Sequence, residues 1–152
     1  MNKNSLIKNR LIKSSLLNEN QFSFSEEKFE KQIGNWFKNA FKIKFQKKDT
    51  KLFFKIAFYE IAEEQEINSF SFQLKDNSYS GKSYNALNFD DFCTINNLEN
   101  KWNSVNNFNG ISFEEKLNNL IIDFEQFVRR TDLIHVFRGE VWYDQYWINP
   151  RD

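Results

Sequence analysis

The sequence predicts an α+β fold: a small antiparallel sheet of about three strands, helices over one of its faces, four helices in all and an aromatic C-terminal segment. Three observations carry that prediction. Apolar and polar residues alternate with a period of two from Phe41 to Phe58 and again from Ser69 to Lys75. On both sides of this block the apolar residues recur every three or four positions, the spacing of a helix face. Eighteen phenylalanines among 152 residues occupy the apolar positions of both patterns. That length suits one domain, and residues 1–152 read as a single globular unit without repeat or linker.

The first helix is expected over Ser5–Asn18, where Leu6, Ile7, Leu11 and Leu17 form a stripe and Lys8, Arg10 and Lys13 lie elsewhere. A second helix is expected to start at Ser25 as N-cap, with Phe24 and Phe29 as a hydrophobic staple. Phe29, Ile33, Trp36 and Phe37 continue it, interrupted by Gly34. The period then switches. Phe41, Ile43 and Phe45 alternate with Lys42 and Lys44. Beyond Lys47-Lys48-Asp49-Thr50, Leu52, Phe54, Ile56 and Phe58 alternate again, giving a hairpin with one buried face and one lysine face.

An acidic connection carrying Glu60, Glu63, Glu64 and Glu66 leads to a third strand in which Phe70, Phe72 and Leu74 face inward. Residues 76–88 are polar and read as a loop. Phe89, Phe92, Ile95, Leu98 and Trp102 mark a third helix. The fourth begins at a Ser112/Glu115 capping box and buries Leu117, Leu120, Ile121, Phe124, Phe127 and Val128. Residues 133–148 fit either a hairpin turning at Arg138-Gly139 or a helix stopping at Gly139.

Composition narrows the function classes. Four scattered glycines form neither a P-loop nor a dinucleotide fingerprint, and one histidine with one cysteine cannot build a Cys/His zinc site. No cofactor is expected. Cys93 with His135 is the sole nucleophile–base combination of that type, and a buried cysteine beside a structural histidine is the simpler reading. Glu60, Gln73 and Lys75 together resemble a reduced acid…(Q/E)-x-K core of the restriction-endonuclease type, which implies a carboxylate- and metal-dependent nuclease; the supporting aspartate is missing. The polar breaks in the N-terminal segment argue against a signal peptide, and no apolar run reaches membrane-spanning length. The expected location is the cytoplasm, in keeping with the single Cys93.

Charge is unevenly spread although the net is zero: residues 1–58 carry 13 Lys+Arg against 5 Asp+Glu, and residues 59–152 carry 8 against 16. Such asymmetry serves either internal complementarity or a steered partner. Lys42, Lys44, Lys47, Lys48, Lys51 and Lys55 are the candidate phosphate-binding residues, a reading opposed by the isoelectric point near 6.6 and by only five arginines. Trp142, Tyr143, Asp144, Tyr146 and Trp147 have the composition of a protein-interface hot spot. The leading expectation is a small intracellular, non-catalytic binding protein of the immunity or inhibitor kind. An A/T-rich composition, common on mobile elements, accompanies it: Asn occurs 21 times and Phe 18 times. Nucleic-acid association through the lysines is the alternative, and the nuclease-like enzyme a second one.

Overall fold

The computed structural model describes residues 2–31, 37–61, 67–80, 85–98 and 110–142. Among them are five helices and five strands: α1 (Lys3–Ile12), α2 (Ser15–Glu19), β1 (Phe22–Lys31), β2 (Phe37–Lys47), β3 (Leu52–Ile61), β4 (Ile67–Asp76), β5 (Ala86–Asn88), α3 (Phe89–Ile95), α4 (Phe113–Arg129) and α5 (Leu133–Phe137). The α+β class agrees with the sequence, and the sheet is larger than expected. Its five strands run antiparallel in the order β1-β2-β3-β4-β5, a meander in which every sequence neighbour is a spatial neighbour.

Register aligns the apolar positions in rows across the strands. Phe41, Phe58 and Phe70 form one row, Ile43, Ile56 and Phe72 the next, and Phe45, Phe54, Leu74 and Leu87 a third. All ten are buried. Phe54 lies at the centre. Its ring stacks on Phe124 of α4 at 5.0 Å and 9°, and tilts against Phe72, Phe89 and Phe137 at 5.4–6.1 Å. Offset and tilted arrangements of this kind suit the ring quadrupole as well as burying area.

α4 starts as the sequence predicts, with Ser112 Oγ accepting from Glu115 N at 3.2 Å, and buries Leu117, Leu120, Ile121, Phe124 and Val128. The expected Ser5–Asn18 helix is instead two. Ser14 caps α2 by accepting from Leu17 N, and the carboxylate of Glu125 accepts from Ser14 Oγ (2.8 Å), Ser15 Oγ (3.1 Å) and Leu16 N (3.2 Å). A buried carboxylate thereby fixes α4 to the N-terminus of α2, where it satisfies donors that the helix cannot.

The helix expected from Ser25 is β1 instead. A bulge between Phe24 and Glu26 places an extra residue in the strand. Phe22, Phe24, Glu27 and Phe29 therefore share the helix-side face, and the five-residue step from Phe24 to Phe29 hides the strand period. Lys8 of α1 confirms that side: its ammonium bonds Glu27 at 2.8 Å and lies 4.2 Å from the Phe24 ring. Ile33, Gly34 and Trp36, the rest of that expected helix, fall outside the described residues, as does Trp102 beyond α3.

Residues 133–137 take the helical option. Gly139, at φ +77°, donates to Val136 O while Glu140 N donates to His135 O, a Schellman stop that needs the left-handed conformation glycine adopts freely. No helix among the described residues is long and apolar enough to cross a membrane.

Candidate functional site

The helices cover one face of the sheet, and the polar half of each strand's alternation forms the other. Three rows cross this outer face. Glu30 and Tyr59 lie on the first, Lys28, Lys42, Ala57 and Ser71 on the second, and Glu26, Lys44, Lys55, Gln73 and Asn88 on the third. Residues of these rows line a groove with a volume of about 390 Å³. Phe53 and Lys75 pair beside it, one step further along β3 and β4.

Two pairs of lysines sit directly opposite each other: Lys28 with Lys42, and Lys44 with Lys55. Like charges in that position destabilise a sheet. Carboxylates relieve part of the repulsion. Glu30 bonds both Lys28 (3.1 Å) and Lys42 (3.3 Å), which holds its carboxyl below the usual range, and Glu26 bonds Lys44 at 3.4 Å. The Lys44 ammonium also lies 4.4 Å from the centre of the Phe53 ring. Lys55 has less relief. Among the described residues it makes no ion pair, and burial, then Lys75 and Lys44, push its ammonium below the ordinary lysine value, which Glu26 offsets only in part.

The candidate lysines separate into three environments. Lys42, Lys44 and Lys55 line the groove. Lys48 and Lys51 are exposed in the β2–β3 turn. Lys47 points to the helix side, where it is 9% exposed and donates to Asn20 O (2.7 Å) and Phe137 O (2.8 Å). It closes the C-terminal carbonyl ends of α2 and α5, and burial lowers its pKa.

Trp142 is half-buried against the core, its ring 6.1 Å from that of Tyr79. Tyr143, Asp144, Tyr146 and Trp147 lie outside the described residues.

The nuclease-like trio does not assemble. Glu60 pairs with Ile67 and accepts from Asn39 Nδ2 at 2.9 Å. Gln73 is opposite Lys55, five positions back along β3, a separation of about 17 Å at strand rise. Cys93 is buried in the core, whereas His135 is half-exposed and its Nδ1 lies 3.1 Å from Glu140. Asp90, at the start of α3, has one buried oxygen without a hydrogen bond, and burial followed by Asp91 raises its pKa. No group of three His, Cys, Asp or Glu suited to a metal occurs among the described residues.

Lys28, Glu26 and Glu30 were hidden from sequence reasoning as a face because β1 reads as a helix. Lys75 and Gln73 carried a usable signal: they are the polar half of a flawless alternation, so they had to share the open side with Lys55.

Comparison of the chain with protein-family models, curated proteins and solved structures finds no match.

Proposed function

We propose that this is a small non-catalytic binding protein of the cell interior, of the immunity or inhibitor kind, which docks an acidic protein partner on the open face of its sheet. The observation that supports this reading most is the placing of lysine opposite lysine at Lys28/Lys42 and Lys44/Lys55. A sheet built for stability alone gains by putting an acid or a β-branched residue at such a position. Clustered charge that costs stability is the arrangement expected of a surface that awaits a complementary one.

The same lysines suit a phosphate backbone less well. Glu26 and Glu30 are embedded among them, where they repel an unbroken run of phosphates, and among the described residues no arginine lines the groove. Nucleic-acid binding would show affinity that falls steeply between about 50 and 200 mM salt.

The test is to mix the purified chain with the product of the adjacent gene. A complex at micromolar concentration is expected, and Lys42→Glu/Lys55→Glu should weaken it at least about tenfold. Absence of a complex, or one indifferent to that double change, would remove this reading.

A further inference from the structure

The third row of the outer face has a charge order that specifies more than an attraction to acids. It runs Glu26, Lys44, Lys55, Gln73, Asn88 across the five strands. Asn88 Nδ2 then donates to Asp91 Oδ2 at 3.4 Å, so the row ends on a carboxylate at both flanks. Inside it Gln73 Nε2 donates to Asn88 Oδ1 at 2.9 Å, so each amide already has a partner for one of its donors, Asn88 for Gln73 and Asp91 for Asn88. Among the described residues the lysines here without an ion pair are Lys55 and Lys75 diagonal to it, while Lys44 is bonded to Glu26. Diagonal neighbours on one face lie about 7–8 Å apart at Cα, near enough for two flexible ammonium groups to converge on one carboxylate.

From this we infer that Lys55 and Lys75 form a seat for a single carboxylate side chain of the partner, on a segment that carries neutral or basic residues to either side of that acid. The proposal rests on the reading of the outer face as the docking surface and names what that surface recognises. A run of acids or phosphates laid along the row would place its second and third charges against Glu26 or Asp91, so the flanking carboxylates select against uniform polyanions. Burial of Lys55 favours the same outcome: a partly dehydrated ammonium gains more from a matched counter-charge than a hydrated one.

The experiment is an NMR titration of the full chain, observing the lysine side chains, with three probes: a Lys-Thr-Glu-Thr-Lys peptide, hexaglutamate and an oligothymidylate. The alternating peptide should shift Lys55 and Lys75 in a saturable way at millimolar concentration. Lys55→Gln should abolish that response, while Lys48→Gln/Lys51→Gln, which removes twice the charge, should leave it in place.

Equal shifts at Lys48 and Lys51, tighter binding of hexaglutamate or oligothymidylate, or no response at Lys55 would each overturn the proposal. Capture of the protein partner by the Lys55→Gln variant separates the two readings. A complex that tolerates this change but not Lys42→Glu/Lys55→Glu leaves the docking face standing and removes the seat.

Discussion

Phe54 and Lys55 are consecutive in β3, share a backbone and face opposite environments. Phe54 is fully buried among four other phenylalanine rings, each supplied by a different element: β4, α3, α4 and α5. Lys55 looks out on three other lysines and, among the described residues, makes no ion pair. The helix-side face closes on itself here, whereas on the open face Lys55 makes no ion pair among the described residues. The strand period of two makes this possible, because each face is specified by its own half of the sequence.

The comparison is most sharply tested where the effect is largest. Phe54→Ala should cost about 3–5 kcal/mol in urea unfolding, since it opens a cavity at the junction of five elements. A loss near 1 kcal/mol would mean that the helix-covered face is not organised around this ring. Glu125→Ala comes next, at about 3 kcal/mol, because three donors at the start of α2 lose a charged acceptor in a buried setting.

Lys47→Met should cost about 2 kcal/mol by leaving the Asn20 and Phe137 carbonyls without their donor. The pH dependence identifies its cause. Burial holds the folded pKa of Lys47 below the unfolded value of 10.5, so the unfolded state binds more protons in the interval between the two. Stability of the native chain should therefore rise with pH through that window, and the increment belonging to Lys47 should vanish in the methionine variant. The smallest effect belongs to the other face: Lys55→Gln should change stability by less than about 0.5 kcal/mol, in the stabilising direction, by removing a like-charge pair. A clear loss would show that Lys55 supports the fold rather than a partner.

The same contrast explains what was legible in the sequence. β2, β3 and β4 are central strands with one buried face, so Phe41/Ile43/Phe45, Phe54/Ile56/Phe58 and Phe70/Phe72/Leu74 announce them. α4 announces itself by its cap and stripe.

β1 is an edge strand. It has one neighbour, its bulge moves the apolar residues out of phase, and Glu-Glu-Lys-Phe-Glu-Lys at residues 26–31 is made of good helix formers. Pairing with β2 overrides that local preference. β5 is three residues long and lies within a stretch that reads as loop, because Leu87 alone points inward. Of the candidate site, the Lys42/Lys44/Lys55 cluster followed from alternation alone. The direction of Lys47 did not, since in strand phase it aligns with Phe41, Ile43 and Phe45 while its chemistry suggested the surface.

A lysine held below its ordinary pKa is present to a greater extent as the free amine, the form that reacts with electrophiles. Lys55 combines that property with a half-buried position that lines the open groove. Sparing treatment with an acylating reagent should mark it ahead of a fully hydrated lysine. Lys47, displaced in the same direction but enclosed by α2 and α5, should remain untouched until the chain unfolds. The two residues thus provide a built-in pair of chemical reporters, one for occupancy of the sheet and one for its integrity.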